Sequence, residues 1–246
     1  MKERVPEYNE TQDHLVPLIG RREEANALAA ALDRPGARLI SGPSGIGKTR
    51  LIQEALSISP LPTVCLQGPD VLHELLVKLA ERLSCPAGRF ADLRHATSVA
   101  LKPVVLEALG RAPHCVVLED VAAVDPRMYR FLQQVRYVPS VCLIVTAKSR
   151  ECLGYLRKLL WNPREETALK PLSRREALAL FEAASRRFRL ENLDVEEFRS
   201  RVLTAALGNP GQILTMCRMA GRPEYQDGRH IKFSPLRIDS LTAFLS

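Results

Sequence analysis

Residues 42–49 read Gly-Pro-Ser-Gly-Ile-Gly-Lys-Thr. Gly42, Gly45 and Gly47 let a backbone curl tightly around an anion with no Cβ in the way. Successive N–H groups turned inward make a nest for negative charge. Lys48 adds an ammonium, and the Thr49 hydroxyl suits a divalent cation. The run fits G-x-x-x-x-G-K-[ST] at every fixed position, the pattern whose backbone cradles nucleotide phosphates while its hydroxyl holds magnesium. That chemistry needs a strand before the loop and a helix after it. Residues 37–41 (ARLIS) are apolar enough for the strand, and 48–57 has helical spacing. The positive end of that helix adds to the anion site. The cofactor-binding set is therefore Gly42, Pro43, Ser44, Gly45, Ile46, Gly47, Lys48, Thr49 and the adjoining Arg50, with a nucleoside triphosphate and Mg2+ as the predicted ligands.

A second chemical pair lies further on. Cys115-Val116-Val117-Leu118 runs straight into Glu119-Asp120. In phosphoryl transfer one carboxylate belongs to the metal shell and another orients the attacking water. Both must stand at the carboxyl end of a strand, where open parallel sheets bind ligands. Glu119 is assigned with Thr49 to the metal, reaching it through a water, and Asp120 with Lys48 to catalysis. The alternative is an acidic strand end that caps the next turn.

The elements that must position these groups follow from hydrophobic period. Nearly continuous apolar runs at 63–66, 114–118 and 141–146, and a weaker one at 167–169, read as strands buried on both faces. Residues 21–33 are helical, with Gly36 ending the helix. Leu72, Leu75, Leu76, Leu79 and Leu83 share one helical face, as do Met128, Phe131, Leu132 and Val135. Strands alternating with helices predict an α/β fold with a mainly parallel sheet. After Pro171 the strands stop. Ser173 with Glu176 forms a capping box, Ala177, Leu180, Phe181 and Ala184 make the buried stripe behind it, and further helices are expected over 194–207 and 210–220. The expected divisions are an arm over 1–17, loose over 1–14, a core over 18–170, a helical lid over 171–221 and a tail over 222–246 to which no element is assigned.

Composition bounds the partners. The 246 residues are 46% apolar, sufficient for a core, and only 5% aromatic, so that core is aliphatic. The net charge of +7 is compatible with a polyanion partner and equally with a solvated basic surface. Arg186, Arg187 and Arg189 either complement the negative end of a helix or contact DNA. Arg229, His230 and Lys232 could touch a phosphate backbone but lack interleaved aromatics. Six cysteines without C-x-x-C spacing argue for reduced thiols and a cytoplasmic home, with Cys115 and Cys142 as buried apolar groups. His14, His73, His95 and His114 have no metal-ligand spacing, and Trp161 is expected to be packing. No signal-peptide pattern or apolar run of membrane-spanning length is visible.

The ordered motifs resemble the ATPase module of the STAND class, signal-transduction ATPases related to AAA+ and origin-recognition proteins. Leu18-Ile19-Gly20-Arg21-Arg22-Glu23 resembles the family's entry motif, and the phosphate loop follows at a short distance. Leu118-Glu119-Asp120 with Val124-Asp125-Pro126 looks like its extended acidic motif, and Leu143-Ile144-Val145-Thr146 like its sensor strand. Leu169-Lys170-Pro171-Leu172-Ser173 resembles the entry to its helical lid, and Gly208-Asn209-Pro210 its G-x-P element. The resemblance covers about 18–220. It implies a three-layer P-loop core with a five-stranded parallel sheet in the order 5-1-4-3-2, a small all-helical lid, and ATP bound between them. It also places Arg21 and Pro210 near adenine. Where the family often carries Arg, this chain has Lys148, with Arg150 two residues on, and either is a candidate for the γ-phosphate. The leading function is an ATP-hydrolysing switch, slow without a partner because no arginine finger is assignable, and acting through a protein partner or self-association. The alternatives are a DNA-handling ATPase and a non-hydrolysing nucleotide-binding module.

Overall fold

The computed structural model describes residues 16–68, 71–85 and 93–245, with side chains through Thr242. The arm expected over 1–14 lies outside them. The chain divides into two compact units.

The first unit comprises Glu23–Pro43 and Ile52–Ala168. Five strands form one sheet: β1 (Gly36–Ser41), β2 (Thr63–Gln67), β3 (His114–Glu119), β4 (Val141–Ala147) and β5 (Glu166–Ala168). All four pairings are parallel, and the order is β2-β3-β4-β1-β5, the 5-1-4-3-2 arrangement that the resemblance implies. Every residue of β4 is buried, which explains its unbroken apolar run. One face of the sheet gives Leu39, Val116, Leu118, Leu143 and Val145 to the main core cluster. The alternate residues Ile40, Val117 and Ile144 are buried too, and strand alternation sends them to the opposite face. Each such side chain contributes about 1.5–3 kcal/mol on leaving water.

Helices α1 (Arg22–Leu32), α3 (Leu72–Arg82) and α5 (Pro126–Arg136) match the predicted stripes. Asp125 caps α5, its Oδ1 accepting from the Met128 amide at 2.7 Å, and Pro126 occupies the first turn where no donor is missed. Two expectations need correction. Gly36 does not terminate α1; it opens β1 with φ 133°. Trp161 is 68% exposed and is not packing. Helix α4 (Ser98–Gly110) has no counterpart among the expected elements: its apolar residues surround the axis instead of forming a stripe, and it runs through Pro103. Its Thr97 cap accepts from Ala100 N, and Leu101, Val105 and Leu109 are buried in the core.

Among the described residues, the second unit comprises those up to Arg22, Ser44–Leu51 and those from Leu169 onward. Helices α6 (Arg174–Arg187), α7 (Val195–Ala206) and α8 (Pro210–Ala220) fall where the pattern places them. Both hydrogen bonds of the Ser173–Glu176 capping box are present. The segment after Gly221 belongs to this unit's core. It forms a short hairpin of β6 (Gln226–Asp227) and β7 (His230–Ile231), then α9 (Phe233–Leu245). Leu236 is fully buried, the Tyr225 hydroxyl donates to Asp239 Oδ2 at 2.8 Å, and the Phe233 ring lies 6.2 Å from Phe198. The Asp227-Gly228 turn, with Gly228 at φ 59°, is a hairpin signal visible in the sequence.

Candidate functional site

In the first unit, parallel pairing brings four strand ends to one edge. Gln67 ends β2, Glu119 ends β3, Ala147 ends β4, and Gly42 follows β1. The Gly42 amide donates to the Ala147 carbonyl at 3.1 Å, fixing where the phosphate loop leaves the sheet. Glu119 is only 2% exposed, and Gln67 Nε2 donates to its Oε2 at 2.7 Å. Gly68 N donates to the Glu119 carbonyl at 2.8 Å.

Asp120 is exposed and adopts a left-handed conformation at φ 47°. Asp tolerates that region better than most residues, yet it still costs energy. Two bonds from β4 hold the turn: Asp120 N donates to Thr146 Oγ1 at 2.8 Å, and Val121 N donates to the Thr146 carbonyl at 2.8 Å. Thr146 is 1% exposed, so its hydroxyl is a fixed acceptor. Of the two basic residues after the sensor strand, Lys148 is exposed. Arg150 is paired with Glu166 of β5 at 2.9 Å.

The phosphate loop continues into the second unit. Ser44 and Gly45 are exposed, Ile46 is fully buried, and Lys48 is 6% exposed at the start of α2 (Lys48–Ile58). Gly45 at φ 71° and Gly47 at φ 99° take conformations that side chains resist, so the glycines are there for the backbone's sake. Thr49 and Arg50 lie in the first turn of α2. Arg21 is 3% exposed; its Nη2 donates to the Lys170 carbonyl at 2.7 Å, and its Nε lies 4.0 Å from where a Cβ on Gly47 would stand. Arg21 therefore lies beside the phosphate loop.

The G-x-P element also meets this loop. Gly208, at φ 77°, accepts from Leu172 N at 2.8 Å. Asn209 caps α8 through Oδ1, which accepts from Gln212 N at 3.3 Å, and Pro210 fills the first helical position. Asn209 Nδ2 donates to the Ser44 carbonyl at 2.9 Å, and Gly211 N donates to the Gly45 carbonyl at 2.9 Å. The sequence assigns no role to Gln67, Thr146 or Asn209, although Thr146 lies in the run that resembles a sensor strand and Asn209 in Gly208-Asn209-Pro210. Asn209 also carries a local signal, a helix cap ahead of a first-turn proline.

Residues 17–193 match the AAA ATPase domain. The chain belongs to that family. It is thus a P-loop ATPase, a nucleotide-dependent enzyme of the AAA+ type. No curated protein matches the sequence. Among solved structures, Cdc6p from Pyrobaculum aerophilum superposes with a TM-score of 0.70 at 14% identity, covering 99% of this chain and 70% of that one. The Aeropyrum pernix ORC1 protein, solved in complex with DNA, gives 0.65 at 16% identity over 95% and 68%. A Pyrococcus horikoshii signal transduction ATPase with numerous domains and a tetratricopeptide repeat sensor gives 0.55 at 17% over 94% and 34%. Likenesses this distant carry the fold alone. Among the described residues, no helix of this AAA ATPase is long and apolar enough to cross a membrane. Nor do any three of their His, Cys, Asp and Glu side chains group to hold a metal ion.

Proposed function

We propose that this AAA ATPase domain works as an ATP-driven switch or assembly ATPase using Mg2+. The observation that carries the reading is the glycine-rich loop between β1 and α2, complete at every fixed position and ending in the largely buried Lys48. In this reading, backbone amides of Gly45, Ile46 and Gly47 hold the β- and γ-phosphates and Lys48 offsets their charge. The Thr49 hydroxyl and Glu119 carboxylate supply oxygen to the cation, a donor set that suits magnesium. The cation neutralises charge on the transferred phosphoryl group. Asp120, held by Thr146, orients the attacking water. Lys148 is the favoured contact for the γ-phosphate because Arg150 is tied to Glu166. Pro210 and Arg21 belong to the binding set. Turnover is slow in isolation and rises with a protein partner or a second copy of the chain.

A second reading, a DNA-handling ATPase, is favoured by the net charge of +7 and by the fold shared with an ORC1 protein solved on DNA. One experiment addresses both: ATP turnover by the purified protein with and without duplex DNA, beside Lys48→Ala and Asp120→Asn. Turnover lost in both variants supports the switch. Stimulation by DNA that falls steeply with salt supports the second reading. Tight ATP binding with an Asp120→Asn variant that functions normally would refute the catalytic assignment and leave a structural nucleotide.

A further inference from the structure

Two carbonyls of the phosphate loop are held from outside it. Asn209 Nδ2 donates to Ser44 O and Gly211 N donates to Gly45 O, both at 2.9 Å. A trans peptide is planar, with its C=O and N–H pointing in opposite directions. Fixing the Ser44 carbonyl toward α8 therefore turns the Gly45 N–H away from it, and fixing the Gly45 carbonyl does the same for Ile46 N–H. Those two amides are members of the nest that a phosphate would occupy. Gly45, at φ 71°, otherwise has wide conformational freedom, and ordering such a residue costs entropy.

We propose that Asn209 is a positioning residue that pre-organises the phosphate nest before nucleotide arrives. Its amide orientation is set from both ends. The carbonyl oxygen accepts from Gln212 N, which leaves the NH2 group for Ser44. The Asn209 backbone is pinned as well, its N donating to Ala206 O at 2.8 Å. Neither Asp nor Ser can replace both functions. Each caps a helix as well as Asn does, but Asp has no donor and the Ser hydroxyl is one atom too short to reach. Asn209 thereby links the start of α8 to phosphate affinity, and the adenine plays no part in the effect.

The inference rests on the proposed nucleotide site, and the test separates the two. ATP and inorganic tripolyphosphate are titrated calorimetrically into the full chain, into Asn209→Ser and into Asn209→Asp, and ligand-free melting temperatures are recorded. The expected result is about three-fold weaker binding of both ligands by Asn209→Ser with a slightly lower ligand-free melting temperature, because the loss of one net hydrogen bond is shared between the ordered loop and phosphate affinity. Asn209→Asp loses at least as much, because its charge opposes the phosphates. Failure of wild type to bind either ligand would overturn the nucleotide reading itself. Wild-type binding matched by Asn209→Ser would overturn only the positioning role. So would a loss confined to ATP.

Discussion

Replacing Thr146 with Val tests whether the acidic turn is held for catalysis. Val keeps the shape of a residue that is 1% exposed, and the backbone bond from Val121 N to the position-146 carbonyl survives. The hydroxyl's acceptor role toward Asp120 N is what disappears. Asp120 then remains in a left-handed conformation, costing roughly 1–2 kcal/mol, with one of its restraints gone. The freed amide belongs to an exposed residue and can find water, so stability falls by only about 1 kcal/mol, roughly 2–4 °C in melting temperature. Activity responds more. A water-orienting carboxylate displaced by about 1 Å loses on the order of a hundred-fold in rate. The expected outcome is a kcat lower by about ten- to a hundred-fold, with ATP affinity within about three-fold of wild type, read by steady-state turnover and calorimetry. Thr146→Ser retains the acceptor and restores most of the rate. Wild-type turnover in Thr146→Val, or equal damage in Thr146→Ser, would refute the argument.

Gly208→Ala should destabilise the second unit by about 2–3 kcal/mol, because its Cβ would lie 2.4 Å from the Leu172 carbonyl in a positive-φ conformation; a denaturant midpoint equal to wild type would contradict it. Gly20→Ala meets a movable neighbour instead, Glu176 Oε1 at 2.5 Å, so it should lower stability less than Gly208→Ala in the same assay. The Ser173 hydroxyl, the Ser173 backbone N–H and the nearby Arg21 hold the Glu176 carboxyl below its usual range. A depressed carboxyl stabilises above its unfolded pKa and loses that contribution as pH falls through the folded value. The stability advantage of wild type over Glu176→Gln should accordingly shrink below about pH 4. Lys48→Ala should abolish turnover in the colorimetric phosphate assay while leaving the far-ultraviolet circular dichroism spectrum unchanged.

The sheet was legible because β3 and β4 are buried on both faces and spell that out in unbroken apolar runs. Helices α5 and α6 were legible through a single apolar stripe and, for α6, a capping box. Helix α4 was not, since it is apolar all round and carries Pro103. The segment after Gly221 was opaque for a related reason. In α9, Leu236 is buried while Ile238 and Leu241 are 64% and 43% exposed, so apolar residues point both inward and outward. The strand order itself came from the family resemblance, and the pairings agree with it.

The candidate site divides along the same physical line. Its glycines and lysine are contiguous, so spacing alone reveals them. Its supporting groups are single polar side chains at the ends of separate elements, and a single residue has no periodicity to read. Topology makes two of them derivable. With β2 beside β3 and β4 beside β3, register sets Gln67 opposite Glu119 and Val145 opposite Leu118. Gln67 then has to meet Glu119, and Thr146, the next residue of β4, has to stand beside the turn at Asp120. Given a strand order, counting back from the carboxyl ends identifies the hydrogen-bonding neighbours of an acidic pair before any side chain is placed. Asn209 lies beyond that procedure, since it reaches the loop from a helix cap and no sheet register relates the two.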